Sequence, residues 1–205
     1  MIESAERPKD TIVELESIRA VVNAANFAAQ KHAAQKRKGA AAEPYINHPL
    51  EVAGLVSTAI AEPDTNLIIA ALLHDVVEDC GVSKEELAAK FGSDVAYLVM
   101  EVTDDKSLPE AERKRLQVVN APQKSVRAQA IRLADKISNM RAILSSPPAD
   151  WTMERKRDYF QWAKQVVDGL TAPNPGLKAE FERVFRRSVD LDQPKAGHTL
   201  PSDSH

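Results

Sequence analysis

The run Leu72-Leu73-His74-Asp75-Val76-Val77-Glu78-Asp79 places one histidine and three carboxylates within about a turn and a half of helix. Glu78 lies four residues after His74, and Asp79 four after Asp75, so the second pair projects from nearly the face of the first. The stretch leading in, Leu67 to Leu73, is apolar all round, and an unpaired aspartate at the end of such a buried segment is expensive. A bound cation removes that cost. A solvated acidic helix end is the plainer alternative, although negative charge there opposes the helix dipole.

Two further positions offer the same ligand types. His48 stands just before Pro49 at a helix start. Asp135 lies within Ile131-Arg132-Leu133-Ala134-Asp135-Lys136-Ile137, whose spacing marks a core face, with Asn139 one turn later on that face. His48, His74, Asp75 and Asp135 together make a mixed imidazole and carboxylate set. Such a set suits one divalent ion of the Mn²⁺, Fe²⁺, Co²⁺ or Zn²⁺ kind better than Ca²⁺, and leaves positions for water. The chemistry implied is metal-assisted phosphoryl hydrolysis, with Glu78 and Asp79 left to handle the proton of water. Lys36-Arg37-Lys38 is a positive knot able to hold phosphate, the alternative being a solvated basic loop. Of the other histidines, His32 lacks a nearby carboxylate in sequence, and His198 and His205 fall in a polar tail.

These residues need helices to hold them, and the apolar periodicity supplies an all-α reading of about eight to nine helices with no competing strand pattern. A first helix runs from Thr11 to about Gln35, with Ile12, Leu15, Ile18, Val22 and Ala25 along one stripe. A second starts at Pro49, where a proline costs no helical bond. Asp64 or Thr65 caps the apolar third helix, which carries His74-Asp75 near its end. Ser83-Lys84-Glu85-Glu86 matches a capping box. Later helices follow over Glu110 to about Asn120, Ser125 to Leu144, Trp151 to Leu170 and Gly176 to about Val189. The organisation expected is a polar segment 1–10, one domain over 11–189, and a disordered tail over 190–205.

Thirty acidic against twenty-seven basic side chains give a net charge of -3 in a chain of 205 residues, which removes any global reason to bind nucleic acid. The N-terminus, Met1 to Asp10, has no apolar core of signal-peptide length, no stretch of about 18 apolar residues exists, and Cys80 is the only cysteine. A cytoplasmic protein is expected; nothing in the sequence sets its oligomeric state.

The set His48, His74-Asp75 and Asp135 resembles the H…HD…D pattern of HD-domain phosphohydrolases. A narrower resemblance lies in Pro44-Tyr45-Ile46-Asn47-His48-Pro49, Ala71 to Asp79, Phe91-Gly92, Val102-Thr103-Asp104-Asp105-Lys106 and Leu133-Ala134-Asp135-Lys136. Over about residues 20 to 185 these phrases are similar to the hydrolase domain of RelA/SpoT homologues, in particular the small stand-alone alarmone hydrolases of the metazoan SpoT-homologue type. That resemblance implies an HD-domain helical bundle and one Mn²⁺ held by His48, His74, Asp75 and Asp135. It also implies hydrolysis of the 3′-pyrophosphate of guanosine tetra- and pentaphosphate to GDP or GTP and pyrophosphate. Glu78 and Asp79 take the place of the acids that activate water, Arg37 and Lys38 of a phosphate-binding pair, and Asn139, Arg155 and Tyr159 of substrate-side residues. No synthetase-like segment follows, so hydrolysis without synthesis is expected.

Two features depart from the family's pattern: Glu110 stands where some relatives carry a basic residue, and Gly39-Ala40-Ala41-Ala42 replaces a more polar stretch. Other readings remain open: a phosphatase for nucleotides with a ribose 2′- or 3′-phosphate such as NADPH, a generic HD-domain 5′-nucleotidase, and a non-catalytic alarmone-binding module.

Overall fold

The computed structural model describes residues 9–62 and 64–192; the rest of the expected N-terminal segment and tail, with His198 and His205, lies outside them. Ten α-helices follow in order: α1 (Lys9–Lys31), α2 (Asn47–Ala59), α3 (Thr65–Leu73), α4 (Val76–Cys80), α5 (Lys84–Phe91), α6 (Ser93–Val102), α7 (Glu110–Asn120), α8 (Val126–Ser145), α9 (Met153–Asp168) and α10 (Pro175–Arg186). Short 3-10 turns close α7 and α10. There is no strand among the described residues; a single bridge pairs Lys36 with Pro44 and closes the basic loop at its base. The all-α expectation holds among the described residues, at nine helices there when α3 and α4 are taken as one interrupted helix.

Side-chain caps set half of the ten starts. Asp64 accepts from the Leu67 N–H at 2.9 Å, Ser83 from Glu86 at 3.1 Å, Ser125 from Ala128 at 3.2 Å, Thr152 from Arg155 at 3.1 Å and Asn174 from Leu177 at 3.0 Å. Gly81, at φ 68°, ends α4 in the left-handed region that favours glycine. The core forms around α3, whose Leu67 and Ile69 to Leu73 are buried, and which packs against α1, α2 and α6. The long helix α8 lies beside α2, α6, α9 and α10 and buries most of its residues from Ala128 to Met140.

Two local expectations are corrected. Helix α1 ends at Lys31 and turns a different face inward: Ala24 and Ala28 are fully buried, whereas Ile18 and Val22 are 54% and 60% exposed. Its sequence carries apolar residues on more than one face, and the small residues let α1 approach α3 most closely. The third helix also stops before the His74-Asp75 pair. His74 Nδ1 bonds the Ala71 carbonyl at 2.8 Å, the acceptor a continuous helix would offer to the Asp75 N–H. The dyad therefore occupies the break between α3 and α4.

Candidate active site

Three separate elements deliver the ligand-type residues: the first turn of α2 brings His48, the α3–α4 break brings His74 and Asp75, and the middle of α8 brings Asp135. His48, His74 and Asp135 each place one ligand atom within 4.8 Å of the others. Asp75 reaches the same point, its Oδ2 lying 3.0 Å from His74 Nε2 and 3.5 Å from His48 Nε2. His48 Nε2 is 3.3 Å from Asp135 Oδ1.

The second ring nitrogens decide which tautomers can ligate. His74 Nδ1 is engaged by the Ala71 carbonyl, which fixes the proton there; its buried Nε2 has no hydrogen-bond partner. His48 Nδ1 meets Ser138 Oγ at 2.8 Å, and Ser138 donates its own proton to Glu51 Oε2 at 2.7 Å. The serine must then accept from His48, so Nδ1 carries the proton and the Nε2 lone pair faces the carboxylates. An orphaned buried imidazole nitrogen beside two carboxylates and a second oriented imidazole fits a divalent cation.

Electrostatics describe the same centre. Burial opposes charge on His74, but Asp75 beside it overrides this and pushes its pKa up to about 9. Burial dominates at His48 and, with His74 repelling a second proton, keeps it below the ordinary histidine value. Burial likewise works against Asp75 and Asp135, yet His74 next to Asp75, and Lys136 next to Asp135, hold both carboxyls below the usual range. Tyr45 donates to Asp75 Oδ2 at 2.7 Å, and burial together with Asp75 keeps its phenol protonated.

This centre forms part of the wall of an open cleft of about 580 Å³. Glu78 and Asp79 line it too. Glu78 accepts from the Asp104 N–H at 3.3 Å and lies 3.4 Å from Arg113 Nη1. Burial first, then Asp104 and Asp75, raise the pKa of Glu78, which makes it a stronger proton acceptor than an ordinary carboxylate. Asp79 pairs with Lys106, and its carbonyl accepts from Gln35.

Arg37 and Lys38 also line the cleft. Arg37 Nη2 donates to Asn139 Oδ1 at 2.9 Å, while Asn139 Nδ2 donates to Asp135 Oδ1 at 2.5 Å. Gly39 holds this loop against the end of α8: a Cβ there would fall 2.2 Å from the Ser146 carbonyl oxygen. Ala41 N–H adds a bond to Ser146 Oγ at 2.9 Å. Tyr159 stands in the cleft wall, its ring 5.9 Å from Trp151 and 5.3 Å from Trp162. Arg155 lies over the Trp151 ring at 4.6 Å and is not among the residues lining the cleft. Glu110 does line it, bonded to Lys114 at 2.9 Å; that contact, with Arg155 and Lys38 near, lowers its pKa.

Sequence reasoning passed over Tyr45 as a partner of Asp75, and over Glu51, Ser138 and Lys136. A signal existed for three of them. Glu51 and Ser138 each follow a ligand-type residue by three positions, on the same helical face, and Lys136 is a lysine inside a core-spaced run.

The profile of the HD domain matches residues 24–161. The chain belongs to the HD-domain family. Among similar HD-domain proteins, guanosine-3′,5′-bis(diphosphate) 3′-pyrophosphohydrolase MESH1 of Xenopus tropicalis is 47% identical over 80% of this chain and 92% of its own length. The Homo sapiens protein of the same name is 44% identical over 82% of this chain and 93% of its own. A solved HD-domain structure, described as a metazoan ortholog of SpoT that hydrolyzes ppGpp, superposes with a TM-score of 0.79 at 43% identity. It covers 89% of this chain and 98% of that one. No helix among the described residues is long and apolar enough to cross a membrane.

Proposed function

We propose that this chain hydrolyses the 3′-pyrophosphate of guanosine tetra- and pentaphosphate, giving GDP or GTP and pyrophosphate, with Mn²⁺ as its metal and the cytoplasm as its compartment. The observation that carries the reading is one cleft lined by His48, Asp75 and Asp135, which cluster with the buried His74, and by the half-buried acid Glu78 and the basic residues Arg37 and Lys38. The MESH1 names of the relatives support the same substrate class.

In this reading His48, His74, Asp75 and Asp135 hold the ion. When bound, the ion supplies Lewis acidity toward water and toward a phosphoryl oxygen. Glu78 accepts the proton that water loses as its oxygen attacks phosphorus and the bond from phosphorus to the ribose 3′ oxygen breaks, and that oxygen leaves as the 3′-hydroxyl of the nucleotide by taking up a proton from solvent. Asp79, pinned by Lys106, fixes the other edge of that acidic pair. Arg37 and Lys38 bind phosphate oxygens, and Arg37 enters already oriented because Asn139 holds it. Asn139 and Tyr159 border the nucleoside side, and Arg155 serves at the rim.

The test uses metal-stripped protein resupplied with Mn²⁺. Release of pyrophosphate and GDP from guanosine tetraphosphate supports the proposal. Release of phosphate from NADPH or of a nucleoside from a 5′-monophosphate, without alarmone cleavage, replaces it by one of the two phosphatase readings. Binding without turnover leaves an alarmone-binding module.

A further inference from the structure

Where the cleft meets the ligand-type residues, the structure buries an ammonium group that the scheme above does not use. Lys136 is 2% exposed, yet it lines the cleft. Its Nζ donates to Asp135 Oδ2 at 2.9 Å and sits 4.2 Å from the centre of the Trp162 ring. That ring is itself anchored, its Nε1 donating to the Lys114 carbonyl at 3.0 Å.

An ammonium carries three N–H donors, and among the described residues Asp135 is the one hydrogen-bond acceptor on Nζ. The Trp162 ring face offsets part of the charge but offers no oxygen acceptor, so two N–H groups lack one at a position where burying a cation is costly. Orienting Asp135 does not require Lys136, because Asn139 already bonds Oδ1, the oxygen turned to His48. A solvent-exposed lysine would neutralise the acidic cluster at lower cost.

We propose that Lys136 is a catalytic residue that donates both remaining N–H groups to oxygens of the pyrophosphate group being cleaved. It thereby fixes that group beside the cation site and stabilises the charge that gathers on it in the transition state. Lys136 only donates hydrogen bonds in this step, so the proton taken by Glu78 and the bond broken at phosphorus balance as before. The inference rests on the reading that the chain cleaves a pyrophosphate ester.

The test compares Lys136→Met with wild type in three measurements. Calorimetric binding of inorganic pyrophosphate to the Mn²⁺-loaded protein is expected to weaken by about tenfold or more. Mn²⁺ affinity of the metal-stripped protein is expected to stay equal or rise, since a positive charge has left. Turnover of guanosine tetraphosphate is expected to fall by roughly a hundredfold to a thousandfold. If the methionine variant loses its cooperative thermal transition, Lys136→Gln takes its place. Pyrophosphate affinity within roughly threefold of wild type overturns the proposal, as does loss of Mn²⁺ in step with activity, which would make Lys136 a positioning residue for Asp135. The pyrophosphate measurement involves no nucleotide. A wild type inert toward guanosine tetraphosphate therefore overturns the function proposed above, while the binding difference still decides the role of Lys136.

Discussion

Arg37 Nη2 donates to Asn139 Oδ1 at 2.9 Å across 102 positions of chain, and Asn139 passes the contact on to Asp135 Oδ1. One asparagine thus ties the basic loop to a ligand-type carboxylate. Asn139→Ala is expected to weaken Mn²⁺ affinity by about tenfold to a hundredfold and to raise KM as well. Arg37→Met should raise KM alone. An unchanged Mn²⁺ affinity in Asn139→Ala, measured by equilibrium dialysis, would sink the coupling.

Asp75 and Glu78 lie in one acidic run but have different surroundings. Asp75 Oδ2 lies between two imidazole nitrogens, whereas Glu78 meets a backbone N–H and Arg113. Asp75→Ala is therefore expected to abolish metal retention. Glu78→Gln should keep the metal and lose kcat by roughly a hundredfold or more. Metal analysis beside steady-state kinetics reads both, and a fully active Glu78→Gln would remove the proton-acceptor role.

The raised pKa values give two pH dependences. His74, at about 9 in the metal-free protein, must lose its proton to ligate, so apparent Mn²⁺ affinity is expected to rise with pH up to about 9. In the metal-free fold the same group contributes stability that is complete below the ordinary histidine pKa of 6.5 and is lost as pH climbs through about 9. Thermal scans with and without Mn²⁺ should diverge over that window. Glu78 must be ionised to accept a proton, so its raised pKa moves the acid limb of kcat above the ordinary glutamate range. A flat Mn²⁺ affinity from pH 6.5 to about 9 would contradict the His74 assignment.

Glu110 places a negative charge among cleft residues that otherwise attract phosphate, and Lys114 is taken up in pairing with it. Glu110→Gln should free that lysine, lower KM for a polyphosphorylated nucleotide and steepen the rise of KM with salt. Unchanged KM and salt slope would show that this carboxylate lies outside the substrate's field.

The sequence by itself determined the helical class, most helix starts and the residue types of the centre, because each rests on local spacing. Asp64, Ser83 and Ser125 cap helices through bonds three residues long, and the apolar run of α3 marks its own burial. His48, His74, Asp75 and Asp135 stood out as polar groups embedded in apolar helical patterns.

What only the tertiary structure decided are contacts between distant residues. The inward face of α1, Tyr45 on Asp75, Arg37 on Asn139 and Lys136 beneath Trp162 all depend on which helices lie side by side. A helical period fixes the angle at which a side chain leaves its own axis, but not the neighbour it meets, which is settled by close packing of the whole bundle. The break at His74 shows both limits, since the helix could be read from its apolar run, but not the side-chain bond to Ala71 at its end.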